Sequence, residues 1–391
     1  MDNLTHSLVA ASLGRVGLRA KVPGGTLSLI AAANLADLDV VSGFWGKLYY
    51  LTYHRGISHS IVGTLALAAV LTGILWLIGR SRGHPASLAQ IGLAVFLTAA
   101  THPLLDVTNS YGLRPFLPFR DRWYYGDLVF IVDPYLWLIL GSAVFLTARP
   151  DRLGKAAWAM GAALASLLVI FAAITFGLWV TLAIWLAGVG VILFLKTRRR
   201  SFPASLAAGA LAAVALYWGF LGVMHWLTLK EFYPQLQASY PGISRDDISA
   251  TPQPANPFEW DLFVERPDRV VYARVSSFST RNVGFEAIPR NRDHPAVTAA
   301  VSTCAGAVFT HFARFPVFEV SNVKGGPVVT IEDVRFARQG RNRQFGTITI
   351  RLDSPSEIPC PASATQPKSV PRLQTRAGST EATPSLRGSS W

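Results

Sequence analysis

The chain has 391 residues, 51% of them hydrophobic and only 15% charged, with 36 Lys+Arg against 23 Asp+Glu. That composition excludes a wholly disordered chain and disfavours a plain soluble globule, in which about a quarter of the residues would be charged. The positive excess would suit a nucleic-acid binder, but the charges are unevenly placed. Before residue 230 the acids are Asp2, Asp37, Asp39, Asp106, Asp121, Asp127, Asp133 and Asp151, and no Glu precedes Glu231.

Residues 3–20 and 24–44 are apolar, rich in Ala and Gly, and carry His or Asp at one end. They read as two crossings or as a re-entrant hairpin. Six apolar runs follow at 57–79, 86–105, 127–148, 156–175, 177–195 and 204–229. Each is long enough for a span of roughly 20 residues. Basic clusters punctuate alternate connections: Arg80 and Arg82; Arg149, Arg152 and Lys155; Lys196, Arg198, Arg199 and Arg200. Basic loops stay cytoplasmic, and Arg15, Arg19 and Lys21 join them if the first segment is a hairpin. The opposite connections, at 106–126 and around 176, then face outward with everything after 229. These topology markers account for twelve basic residues of the membrane region, against five (Lys47, Arg55, Arg114, Arg120 and Arg122) on outer loops, so no nucleic-acid partner is expected. The N-terminus lacks the basic start and cleavage site of a signal peptide.

Pro234, Pro241, Pro252, Pro254 and Pro257 mark 230–257 as a linker. Alternation at Arg269–Val275, Val317–Val320, Val328–Ile331 and Gly346–Leu352 reads as strands. The expected fold class is mainly α: a polytopic α-helical membrane domain of six to eight spans over 1–229, followed by a small β-rich or α+β extracytoplasmic domain over 258–354. The composition of 355–391 reads as a disordered tail. Cys304 and Cys360 both fall in the outward segment, where an oxidising exterior permits a disulfide. With Cys360 in that tail, the unpaired state is the favoured expectation.

Ionisable side chains in or beside spans are costly, and are functional candidates for that reason. His6 lies in Met1-Asp2-Asn3-Leu4-Thr5-His6, Asp37 and Asp39 in Asn34-Leu35-Ala36-Asp37-Leu38-Asp39. His54 and His59 bracket His54-Arg55-Gly56-Ile57-Ser58-His59-Ser60, and His102 and Asp106 come from Thr101-His102-Pro103-Leu104-Leu105-Asp106. The Lys/Arg topology brings all seven to one face of the membrane. Imidazoles with carboxylates are the ligand set for zinc, iron or manganese. Taken singly, each has a structural reading: His6 as an interfacial residue, Asp37 and Asp39 as caps, His102–Asp106 as a helix-face hydrogen bond. Their coincidence on one side, in a region almost free of acids, favours a metal site. His84, His225, His294 and His311 read as structural.

Met-Asp-x-x-Thr-His, Asp-x-Asp, His-Arg-Gly-x-Ser-His-Ser and His-x-x-x-Asp together resemble the YdjM/YbcI-like membrane-bound metal-dependent hydrolases, as does Asp127–Pro134. The resemblance covers about residues 1–150 and extends to the later spans only in layout. That family is thought to be distantly related to zinc-dependent phospholipase C and the P1-type nucleases. The resemblance thus implies phosphoester hydrolysis and leaves the substrate open.

Seven candidate ligands exceed what one catalytic zinc needs, so two divalent ions, zinc or alternatively manganese or iron, are expected. Asp37 or Asp39 would bridge them and metal-activated water would attack phosphorus. Arg55 is expected to clamp a phosphoryl oxygen, with an interfacial arginine touching lipid headgroups as the equal alternative. Asp133 is expected to orient a ligand histidine. Ser58, Thr101 and Asn109 are further polar neighbours. The expected substrate is a lipid or lipid-linked molecule at the bilayer face. A His-Glu-x-x-His protease is excluded, since no Glu precedes residue 231. A metal-ion transporter is the main rival, but the polar residues sit at one end of the spans and Arg55 lies among them. A metal-braced sensor or scaffold fits the ligands without explaining their excess.

Overall fold

A computed structural model describes residues 1–148, 152–199, 202–279, 283–323, 326–337, 344–353 and 360–361. The expected tail over 355–391 lies outside the described residues except for Cys360 and Pro361, as do Arg149 and Arg200.

Helix α1, Asn3–Arg15, starts at Asp2, whose carboxylate accepts from the Thr5 amide at 3.0 Å and the Thr5 hydroxyl at 2.7 Å. That N-cap satisfies donors the first turn would leave orphaned. Helix α2, Thr26–Asn34, packs along α1 and bends by 51° into a 3-10 segment, Ala36–Trp45. At 1.5 Å per residue α1 spans about 20 Å and α2 less, short of a hydrocarbon core of about 30 Å. Neither is a straight crossing by its own length.

After α3, Lys47–Tyr53, come α4, Ile61–Ser81; α5, Leu88–Asp106; α6, Pro134–Thr147; α7, Arg152–Phe176; α8, Trp179–Arg198; and α9, Ser205–Ser239. Of these, α4, α5, α7, α8 and α9 are long and apolar enough to cross a membrane, and the total reaches seven when each of two bent helix pairs counts as one span. One such pair is α2 with its 3-10 continuation. The other, α10, Pro295–Ser302, with α11, Cys304–Phe312, bends by 92° and packs on sheet in the C-terminal part. The run expected to span over 127–148 is helical only from Pro134, because Asp133 caps the helix with Pro at its first position.

The expected linker at 230–257 is a correction. Helix α9 runs on through Pro234 to Ser239; at about 52 Å it overshoots the bilayer core. Its last turns, with Phe232 and Leu236, pack under Trp260, Leu262 and Val271. Strands β1, Ile248–Gln253, and β2, Asn256–Glu265, then pair as a hairpin. With β3, Arg269–Ser276, and β4, Glu286–Pro289, they form an antiparallel sheet in the order β1-β2-β3-β4. A second antiparallel sheet joins β5, Pro316–Val323, β6, Gly326–Asp333, and β7, Thr347–Arg351. The four expected strands are β3, β5, β6 and β7.

Cys304 and Cys360 form a disulfide, against the favoured expectation. Both half-cystines pack at the margin of a core that joins α3 (Leu48, Leu51), the 107–127 connection (Tyr111, Trp123) and the C-terminal part (Phe309, Phe312, Ile331). The C-terminal part therefore sits on the end of the helices that carries the candidate ligands.

Candidate metal centre

Five short segments meet at this end. Asp2 starts α1 and also accepts from the Trp137 indole at 3.1 Å, which places His6 one turn along, buried and facing α5. The 3-10 segment has about three residues per turn, so Asp37 and Asp39 leave it in different directions. His54 ends α3, and Arg55 follows in a left-handed conformation (φ 54°). Gly56 is required after it: a Cβ there would lie 2.7 Å from the Tyr53 carbonyl. Gly63 is required too, because the turn Ile57–His59 lies against the start of α4 and a Cβ would collide with the Ile57 carbonyl. His102 and Asp106 share one face of α5.

Four ligand atoms converge. His59 Nε2 lies 3.1 Å from His102 Nε2, 3.3 Å from Asp37 Oδ1 and 3.4 Å from Asp106 Oδ2. His102 Nε2 lies 3.4 Å from Asp37 Oδ1 and 3.5 Å from Asp106 Oδ2. Zinc bonds of about 2.0–2.2 Å to His N and Asp O set tetrahedral ligand atoms about 3.3–3.6 Å apart; the five spacings that involve a histidine match that to within a few tenths of an ångström, and all four atoms lie within 4.8 Å of one another.

The tautomers agree. His102 Nδ1 is 2.6 Å from the Ala33 carbonyl, which can only accept, so Nδ1 carries the proton. His59 Nδ1 is 3.1 Å from Asp39 Oδ2, so it too is a donor. Neutral rings would therefore oppose both Nε2 lone pairs, a contact relieved either by a proton on one Nε2 or by a cation between them. Asp106 Oδ2 and both His6 nitrogens are buried without a hydrogen-bond partner, which points the same way. Burial works against a charge on His59, but the Asp106, Asp37 and Asp39 carboxylates outweigh it and raise its pKa to about 10. The cage therefore seeks a cation. These buried His and Asp groups can hold a metal ion, and the residues fit one.

The other expected ligands lie close by. Asp37, Asp39 and His54 form a second possible metal group that shares Asp37 with the first. Within it His54 Nδ1 is 2.8 Å from Asp39 Oδ1, a spacing that a hydrogen bond alone explains. His6 stacks on His102 with ring centroids 3.8 Å apart, and its Nε2 is 3.5 Å from Asp106 Oδ1.

Two expected roles need correction. Asp133 orients no ligand histidine: its Oδ1 accepts from the Tyr135 and Leu136 amides and its Oδ2 from the Tyr217 hydroxyl. Asp39 does that work instead, reaching both His54 and His59. Arg55 is buried within the protein rather than interfacial, and its Nε has no hydrogen-bond partner among the described residues. It donates through Nη2 to Asp106 at 3.1 Å and through Nη1 to Asn109 at 2.9 Å and the Gly112 carbonyl at 3.2 Å. Met1 N also contacts Asp106 Oδ1. Ser58 bonds Asp39 and His59, while Thr101 donates to Thr98 in its own helix.

Sequence reading missed three neighbours. Asn3 donates to Asp37 at 2.9 Å, Tyr50 stacks on His54 at 4.5 Å, and Tyr111 lies under the Arg55 guanidinium at 4.6 Å. Only Tyr50 had a local signal, four residues before His54 on one helix. The remaining histidines are structural: His84 and His294 accept from local amides, His225 lies edge-on to Trp260, and His311 pairs with Asp121.

Residues 1–181 match the family model described as YdjM inner membrane protein. Among curated proteins, the uncharacterized protein YfhP of Bacillus subtilis (strain 168) is 26% identical over 147 residues, which is 35% of this chain and 43% of that protein. The chain thus spans less than half the length of that relative. No solved structure matches.

Proposed function

We propose that this protein is a membrane-bound metal-dependent hydrolase that cleaves a phosphoester in a lipid or lipid-linked substrate. The observation that carries the reading is the buried set of four His and Asp ligand atoms, all within 4.8 Å of one another, with the two imidazole Nε2 atoms facing each other at 3.1 Å. His59, His102, Asp37 and Asp106 hold the ion; nitrogen and oxygen donors in a tetrahedron suit zinc first, manganese or iron next. Asp37 is the group through which a second ion, held also by Asp39 and His54, would be bridged. A divalent ion there supplies Lewis-acid activation of water and of a phosphoryl oxygen. Asp39 fixes the tautomer of His59, and Ala33 that of His102. Arg55 anchors the outer oxygen of Asp106 and leaves the inner one for the ion. The Lys/Arg asymmetry and the disulfide support an outward-facing site and C-terminal domain.

One observation favours a second reading. Four protein ligands already complete a tetrahedron, as in structural rather than catalytic zinc sites, so a metal-braced scaffold or sensor is the alternative. Metal analysis of the purified protein, wild type against His102→Ala and Asp106→Asn, comes first; each variant is expected to bind at least about 100-fold more weakly, beyond the loss from outer partners. Unchanged metal content in both sinks the site. Stoichiometric metal without turnover of phosphodiester or phospholipid substrates converts the reading to the brace, and metal flux into liposomes without hydrolysis to a transporter.

A further inference from the structure

We infer that the site is reached from within the bilayer, past the 3-10 segment Ala36–Trp45, and that its substrate is a membrane-resident phospholipid rather than a water-soluble phosphoester. This rests on the hydrolase reading above.

The aqueous side is closed. Tyr111 lies against Arg55, and behind it Phe312 and Phe345 of the C-terminal part pack at 5.2 and 6.2 Å between ring centroids. The side chains of His6 and His59 are fully buried, and those of His102 and Asp106 are 1% exposed. Exposure among the candidate ligands is confined to the 3-10 segment and the residue that follows α3: Asp37 at 15%, and Asp39 and its partner His54 at 11% each.

The 3-10 segment has an apolar outer face. Leu38, Val40, Val41, Phe44 and Trp45 are all exposed, Phe44 at 89%. A soluble surface rarely bears such a contiguous strip without a partner. The occupant follows from continuity: the segment packs on the first turns of α4, whose Ile61, Val62 and Leu65 are also exposed and belong to a membrane-crossing helix. One apolar surface therefore runs from the span to the mouth of the site, with a tryptophan of the kind that favours the bilayer interface. The mouth itself is polar. Asn3 donates to both Asp37 and the Asn34 side chain, and the exposed Leu4 stands beside it on α1. A phosphate headgroup would enter past Asn3 toward the ion that Asp37 helps to hold, while its acyl chains lie along Leu4, Leu38 and Val41.

The test uses the full-length protein in phosphatidylcholine vesicles. The native cysteines are paired, so Leu38→Cys and Phe44→Cys can each be labelled with bimane. Lipids bearing a nitroxide at acyl carbon 5 are expected to quench both labels several-fold more than aqueous iodide does. Stronger quenching by iodide overturns the bilayer contact. Wild-type zinc-loaded protein is expected to hydrolyse vesicle phosphatidylcholine at least tenfold faster than soluble glycerophosphocholine, and equal rates overturn the lateral route. Absence of hydrolysis on both overturns the hydrolase reading and, with it, the substrate assignment, while lipid quenching would still establish the surface as bilayer contact.

Discussion

At the residue scale, the division of labour between Asp37 and Asp39 follows from their helix. Two positions apart on about three residues per turn, they diverge by about 120°, one toward the His59 and His102 Nε2 atoms and the other toward the Nδ1 atoms of His54 and His59. Asp39→Asn is expected to weaken metal binding about 10–100-fold without loss of fold, because a histidine whose outer partner is lost is both less basic and less fixed. Asp133→Asn is the contrast: it should leave metal affinity unchanged and cost little stability, because Asn caps a helix about as well as Asp. Isothermal titration with zinc and thermal unfolding of both variants separate the two; a metal-binding defect in Asp133→Asn would restore the role first expected for it. The ligand types were legible because acids are so scarce before residue 230. The roles of Asp133 and Arg55 were not, since hydrogen-bond partners distant in sequence, such as Tyr217 and Asn109, decide them.

At the element scale, local signals succeeded where one element explains itself. Alternation is clean in β7, whereas β3, β5 and β6 each bury one adjacent pair, as Val270 and Val271 do on opposite faces of β3. Proline content misled over 230–257. Pro234 is accommodated inside α9, and Pro252 and Pro254 bound the β1–β2 turn, so the composition of a linker and of a helix-to-hairpin junction is the same. Helix α3 shows how strongly the C-terminal part is docked. The Lys47 ammonium donates to the Gln344 carbonyl at 2.5 Å and the Thr347 carbonyl at 2.7 Å, and burial lowers its pKa to about 8. A lysine depressed from 10.5 to about 8 on folding binds fewer protons folded than unfolded between those values. Stability should therefore rise as pH increases from about 8 to 10.5, and the cost of the buried charge is fully present below 8. Thermal unfolding across that window should show the rise in wild type and lose this component in Lys47→Met; parallel curves would remove the assignment.

At the scale of the whole molecule, the C-terminal part and the metal centre share a wall. Asn109 and the Gly112 carbonyl hold Arg55, which holds Asp106, while between them the Ser110 carbonyl accepts from Arg335 at 2.7 Å and Tyr111 packs on Phe312. Coupling between two sites is reciprocal. Arg335→Ala is expected to lower zinc affinity roughly 5-fold or more, and zinc removal from wild type should speed proteolysis within 295–352. A variant with loosened C-terminal part and unchanged zinc affinity would break the link. The sequence by itself determined the membrane class, four strands of the C-terminal part and the residue types at the candidate metal centre, because hydropathy, alternation and scarcity of acids are properties of short windows of chain. Only the tertiary structure decided which four of seven candidates share one ion's geometry, that the first helices form a bent hairpin, and that the C-terminal part roofs the site. Those outcomes depend on atoms tens to hundreds of residues apart meeting within a few ångströms, and no local pattern encodes such a distance.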